Sequence, residues 1–307
     1  MSDPEGPKVR FEREGFVVLP RYLGEADLER AIDSLAAEFP TAKEFHEDAD
    51  PTRNERFRNE FGGITNFPFA STTLSLAAVH ERLIDLACSL LGTDDLRVYS
   101  IEAWAKYTGA ADYDQELHRD YLNHSLVVPA PEQPPQQVEM FLYLCDVPVE
   151  LGPPSYVPTP LTAALPALPN WYPRRDGADD DHERRWVSPT GRPDLYEREF
   201  RAAGPVGTVV AYRIETFHRG TALLAPKGVR YTIHTNFRRA DADWIGRRAW
   251  IDSANTPEWH GFVINASPRQ LQLFGFPPPG HSFWTERAAI EVQQRYPGFD
   301  PDPWLRR

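Results

Sequence analysis

At residue 96 the hydrophobic period of this chain changes, and the change bounds the folds open to it. Before that point apolar residues recur at helical spacing. Leu28, Ile32, Leu35 and Ala36 mark a helix over 25–39, and Leu76, Val79, Leu83, Ile84, Ala87, Leu90 and Leu91 mark another over 75–91, with Gly92 as its stop. After it, segments 96–107, 116–121, 137–145, 155–157, 200–202, 208–214 and 230–237 are short, β-rich and punctuated by Gly and Pro. Many short strands behind two helices predict a mainly β fold with flanking helices, a jelly-roll sandwich. The expected layout is one domain over 1–307: helices over about 22–92, a β core over about 96–240 and a helical extension over 241–307.

Several smaller features complete the outline. Residues 11–20 read as a short strand entered from a charged turn, and 40–65 as charged and irregular. Residues 159–199 interrupt the β pattern with a long loop holding Trp171, Tyr172, Arg174, Arg175, Arg184, Arg185 and Trp186. Loops of that length in a compact domain serve as functional lids or stay disordered. Ser267-Pro268 is an N-cap followed by Pro, so a short helix is expected to Phe274, and a last helix over about 282–295.

Charge and cysteine content exclude several function classes. The net charge of −12 argues against a nucleic-acid surface or an anionic membrane as partner. No run of ~18 apolar residues occurs, and residues 1–10 lack an apolar core, so neither a membrane span nor a signal peptide is expected and the default compartment is the cytoplasm. Cys88 and Cys145 are far apart and have no C-x-x-C partner, which leaves no zinc knuckle or disulfide framework. A small-molecule partner fits these exclusions.

His118-Arg119-Asp120 is the candidate for chemistry. On a strand, side chains at i and i+2 share a face, so His118 and Asp120 can converge on one ion while Leu117 and Arg119 turn away. The pattern alone is weak, since composition predicts roughly 0.6 such triplets by chance. A second copy, His46-Glu47-Asp48, sits in a run of charges and reads as a solvated linker. A third ligand could come from His124, His182, His218, His234, His260 or His281. His218 is favoured: it follows the apolar strand 207–214, and Gly220 relieves the chain just beyond it. His124 lies too close to His118, and His234 reads as a packed core histidine. Two imidazoles and one carboxylate occupy one face of an octahedral metal and leave positions open, the set used by non-haem Fe(II) oxygenases.

Arg230 and Thr232 follow 12 and 14 residues after His218 and share one strand face. A cosubstrate with a free carboxylate needs a planar, bidentate cation, which Arg supplies better than Lys. A hydroxyl two residues on can add a hydrogen bond. Trp104 and Tyr121 flank the candidate metal segments and are open to either pocket or core roles.

Taken in order, these residues resemble the phytanoyl-CoA dioxygenase family of Fe(II)/2-oxoglutarate oxygenases over roughly residues 10–240. The resemblance rests on the Gly15-Phe16-Val17-Val18-Leu19 entry, Lys106-Tyr107-Thr108-Gly109, His118-Arg119-Asp120, Gly152-Pro153, Ser155-Tyr156-Val157-Pro158, His218-Arg219-Gly220 and Arg230. It implies a double-stranded β-helix, His118, Asp120 and His218 as iron ligands, and Arg230, assisted by Thr232, against the distal carboxylate of 2-oxoglutarate. It also places Lys106 near the cosubstrate. The implied reaction uses Fe(II), 2-oxoglutarate and O2, with ascorbate as a stimulant, to hydroxylate or otherwise oxidise an unactivated C–H bond, releasing succinate and CO2.

Two departures stand out. The family's Val-Pro-Gly-Ser-His is replaced by Val157-Pro158-Thr159-Pro160, and 159–199 is longer than in compact members. Asp120 retains the carboxylate that related halogenases replace with a small residue. No long basic patch for the phosphates of a CoA thioester is present. Two other readings keep the jelly roll: a cupin-like metal enzyme that does not use 2-oxoglutarate, and a binding protein with a vestigial metal site.

Overall fold

The computed structural model describes residues 5–59, 61–110, 114–127, 133–176 and 186–305. The helical first third contains α1 (Pro7–Glu14), strand β1 (Phe16–Leu19), α2 (Glu25–Asp33), α3 (Leu35–Glu38), α4 (Ala42–His46), α5 (Pro51–Glu55), strand β2 (Ile64–Asn66), α6 (Thr72–Ala78) and α7 (Glu81–Leu91). The core follows with β3 (Leu96–Tyr107), β4 (Leu117–His118), α8 (Tyr121–His124), β5 (Gln137–Tyr143), β6 (Ser155–Tyr156), β7 (Trp171–Tyr172), α9 (Pro193–Tyr196), β8 (Phe200–Arg201), β9 (Val209–Tyr212), β10 (His218–Arg219) and β11 (Val229–Arg239). Helices α10 (Pro257–Asn265), α11 (Pro268–Gln272), α12 (Glu286–Arg295) and α13 (Asp302–Leu305) close the chain.

The strands form two antiparallel sheets, ordered β1-β9-β5-β11-β3-β2 and β7-β4-β10-β6-β8. The fold is mainly β with flanking helices, the expected jelly roll. Alternation decides what each face meets. On β1, Val17 joins the large core beneath the helices, while Phe16 and Val18 join a second cluster with Tyr156 and Tyr212. On β11, Ile233 and Phe237 pack into the large core, while Arg230, Thr232, His234 and Asn236 line a cavity. The C-terminal helices lie over the N-terminal ones: the Gln270 side chain donates to the Val79 carbonyl at 2.9 Å, and Ser267 Oγ to Glu81 at 2.8 Å.

Local structure departs from the sequence pattern at several points. The helix expected over 75–91 is two helices, because the chain turns at Val79 and His80 Nδ1 accepts from the Arg82 N–H to cap α7. Residues 11–20 begin inside α1, which ends at Gly15 in the left-handed region (φ 82°), where glycine is favoured. The "irregular" stretch 40–65 contains α4, α5 and β2, held by Phe45 stacked on Tyr107 with centroids 4.1 Å apart. A register shift lies between Asn236 and Phe237 on β11, which pair with Ser100 and Val98 on β3. Tyr99 is the extra residue, and the bulge sends its hydroxyl to Glu139 at 3.0 Å. Among the described residues, no helix is long and apolar enough to cross a membrane.

Candidate metal centre

Two short strands of the smaller sheet and the start of α8 bring the candidate donors together. His118 ends β4 and is the direct register partner of His218 on β10, with ring centroids 4.6 Å apart. The strand expected over 116–121 is thus only Leu117–His118. Asp120 lies beyond it, with helical backbone angles (φ −92°, ψ −6°), at the start of α8. It reaches the histidines because the chain turns there, and not through strand parity. His218 likewise does not end β9; it belongs to its own two-residue strand in the other sheet. Gly220, next along, donates its N–H to Gln115 Oε1, and a Cβ there would sit 2.9 Å from that oxygen.

The donor geometry is specific. His218 Nε2 lies 3.2 Å from Asp120 Oδ2, and His118 Nε2 lies 3.6 Å from Asp120 Oδ1. The opposite ring nitrogens meet backbone carbonyls: His118 Nδ1 faces Glu116 O at 2.7 Å and His218 Nδ1 faces Thr216 O at 3.0 Å. A carbonyl can only accept, so each Nδ1 carries the proton and each Nε2 offers a lone pair. Donor atoms from the three residues all lie within 4.8 Å of one another. This donor set fits a divalent first-row metal with coordination positions left open.

Electrostatics act in the same direction at His118 and Asp120, and against it at His218, where a metal would displace a proton. Burial, reinforced by His218, pushes the His118 imidazole down to about 4, so it is neutral near pH 7. Burial alone would raise Asp120, but the charge and hydrogen bond of His218 outweigh it and hold the carboxyl well below its usual range. Burial lowers His218, and Asp120 more than reverses that.

The triplet's middle residue turns away, as expected, and has a task of its own. Arg119 Nη2 donates to the carbonyls of Pro166, Ala167 and Pro169 at 2.7, 2.6 and 3.1 Å, and its guanidinium lies 4.3 Å from the Phe217 ring centroid. Asn170 exchanges two hydrogen bonds with the Arg119 backbone. These contacts dock the first part of the 159–199 insertion, so that β7 pairs with β4 and Trp171 stacks on His118 with centroids 4.2 Å apart. Of the insertion's described residues, Trp171 lines the cavity. Arg174 packs over the Tyr196 ring, while His182, Arg184 and Arg185 lie outside the described residues.

A cavity of roughly 260 Å³ opens over the donors. His118, Asp120 and His218 line it together with Lys106, Arg230 and Thr232, so all six candidate site residues meet in one place. Arg230 and Lys106 are register partners on β11 and β3. Thr232 Oγ1 bonds His234 Nε2 at 2.9 Å, so its hydroxyl is engaged by His234. His234 is packed as expected, between Trp104 (centroids 4.5 Å) and Phe141 (3.9 Å), yet it also lines the cavity. Trp104 lines the cavity and Tyr121 does not. His260 bonds the Pro297 carbonyl and His281 caps a turn at Phe283, so neither joins the donor set.

Sequence reasoning missed a buried network beside the metal donors. Glu139 accepts from Tyr212 at 2.6 Å and from Tyr99 at 3.0 Å, and His124 Nδ1 lies 2.5 Å from it. It also missed Asn236 and Arg247. Only Asn236 carried a signal, its even spacing from Arg230 on one strand.

The phytanoyl-CoA dioxygenase (PhyH) model matches residues 11–230. The chain belongs to the PhyH family. No curated protein matches the chain. Among solved structures, HygX from Streptomyces hygroscopicus with nickel, 2-oxoglutarate and hygromycin B bound is 16% identical with a TM-score of 0.51, covering 76% of this chain and 87% of that one. The epimerase SnoN in complex with Fe3+, alpha ketoglutarate and nogalamycin RO is 18% identical with a TM-score of 0.50, covering 82% and 89%. At these identities the likeness is one of fold. The PhyH match ends at Arg230, so Thr232, His234, Asn236 and Arg247 all line the cavity from beyond it.

Proposed function

We propose that this PhyH-family chain acts as one oxygenase domain, dependent on Fe(II) and 2-oxoglutarate, that oxidises a C–H bond of a small organic molecule. The observation that carries the reading is the tautomer lock. Both candidate histidines spend Nδ1–H on backbone carbonyls and turn Nε2 toward Asp120. Structures of the same fold hold a metal with 2-oxoglutarate, as in HygX and SnoN. A ferrous ion with 2-oxoglutarate would supply O2 activation coupled to release of succinate and CO2.

The chain's own residues would divide the remaining work. His118, Asp120 and His218 hold the ion. Arg230 and Lys106, side by side on neighbouring strands, take the far carboxylate of the cosubstrate, and Thr232, fixed by His234, borders it. Trp171, stacked on His118, shields one side of the donors from water. The retained carboxylate of Asp120 favours oxygen insertion or desaturation over halogen transfer.

Arg230 tests the cosubstrate assignment. Arg230→Ala should raise the 2-oxoglutarate concentration needed for half-maximal succinate release by roughly 10- to 100-fold, the loss of one charge-assisted pair. An unchanged requirement would favour the cupin-like reading without 2-oxoglutarate.

A further inference from the structure

The two ends of the β11 face that borders the cavity differ in chemistry. Arg230 and Lys106 mark one end. Asn236 lies six residues further along, on the same face and roughly 20 Å away at strand rise. A cosubstrate anchored at Arg230 is too short to span that distance, so whatever meets Asn236 is a different molecule.

Asn236 is 4% exposed, lines the cavity, and its Oδ1 has no hydrogen-bond partner. Neither of its register partners supplies one in the structure. Glu139, its register partner on β5, is already engaged by Tyr99, Tyr212 and His124. Ser100, its partner on β3, is fully buried, and its Oγ is likewise unpartnered. A buried amide oxygen left without a donor is costly, so such a group in a cavity wall marks where a ligand's donor arrives. The register partner of Asn236, Glu139, puts a carboxylate oxygen within 4.8 Å of donor atoms of Asp120 and His124.

The surroundings disfavour an anion at this end. Glu102, 2% exposed, takes the indole N–H of Trp104 at 3.0 Å and ion-pairs with Arg247 at 3.3 Å and Arg248 at 3.2 Å. Arg219 is held by Glu199 at 2.7 Å and Asp114 at 2.9 Å. Arg219 and Arg247, which line the cavity, are thus paired with carboxylates. A carboxylate or phosphate here would also face Glu139, Glu102 and the amide oxygen.

We propose that Asn236 orients the substrate by accepting a hydrogen bond from a hydroxyl or amino group, and that the substrate class is a polyhydroxylated or amino-bearing small molecule, not an acyl carboxylate or CoA thioester. The proposal rests on the oxygenase reading, and the test separates the two. Protein loaded with Ni(II) and 2-oxoglutarate is titrated with methyl glucoside, glucosamine, octanoate and octanoyl-CoA, followed by the fluorescence of the cavity tryptophans Trp104 and Trp171. The first two probes should bind, and the glucoside against the amine tells hydroxyl from amino recognition.

Asn236→Leu should weaken their binding about tenfold or more, while Asn236→Ser, which keeps a neutral acceptor oxygen, should lose clearly less. If the leucine variant does not fold, Asn236→Ala takes its place. Tighter binding of the acyl probes, no binding of either donor-bearing probe, or an unchanged leucine variant overturns the proposal. So does a loss in the serine variant as large as in the leucine variant. The visible absorption of anaerobic Fe(II) and 2-oxoglutarate is read on the same proteins. If it persists while the probes fail, only the substrate class falls; if wild type lacks it, the oxygenase reading falls.

Discussion

His46-Glu47-Asp48 and His118-Arg119-Asp120 are the same pattern with different fates. In the first, His46 ends a five-residue helix and its Nε2 contacts the Gly228 carbonyl at 3.2 Å. Asp48 has a left-handed backbone (φ 52°) and is taken by Asn54 and Arg58. Its side chain and that of Arg58 are both nearly half exposed. The segment is more ordered than a solvated linker, since Asn54 beside it is buried, yet its histidine and carboxylate never meet. In the second, a strand end and a helix start fold His118 and Asp120 toward each other, and β10 brings His218 against both. The spacing of a ligand pair carries little information; the backbone turn and the cross-strand partner carry most of it.

The contrast can be broken most sharply at the partner. His218→Ala should reduce divalent-metal affinity by at least about 100-fold, since two donors cannot replace three. Calorimetry with Ni(II) reads this directly, and retention of tight binding would move the third donor elsewhere.

The middle residues offer a subtler comparison. Arg119→Met removes the donor that holds three carbonyls of the insertion and so loosens Trp171 over His118. Metal affinity should drop roughly 10-fold, the scale of lost outer support at metal sites. The change should appear in the metal titration and in altered Trp171 emission together; a drop in thermal stability alone would make Arg119 merely structural.

The smallest effect belongs to the other triplet. Asp48→Ala breaks an exposed ion pair, so stability should change by no more than about 1 kcal/mol and metal affinity should not change. A measurable loss of metal would restore the first triplet as a ligand set.

These differences also show what the sequence could carry. The face shared by Arg230, Thr232 and His234 was readable, because an 11-residue strand has a period. The histidine's partner was reachable only by position, because β4 and β10 are two residues long and a two-residue strand has no period. That is why Asp120 was assigned to a strand it does not occupy and His218 to the end of β9. The bulge that turns Tyr99 inward depends on pairing between residues more than 130 positions apart, such as Val98 with Phe237, and leaves no local mark. The docking of Trp171 on His118 is similar: it depends on Arg119 finding carbonyls some 50 residues away.

The central claim is that His118, Asp120 and His218 together hold a ferrous ion to which 2-oxoglutarate can bind. Its most direct test is the visible spectrum of the purified protein with Fe(II) and 2-oxoglutarate under anaerobic conditions. Wild type should show a weak charge-transfer band near ~500 nm, as expected of an open-site iron chelate, and Asp120→Ala should not. No band in wild type, or an equal band in Asp120→Ala, would contradict the account.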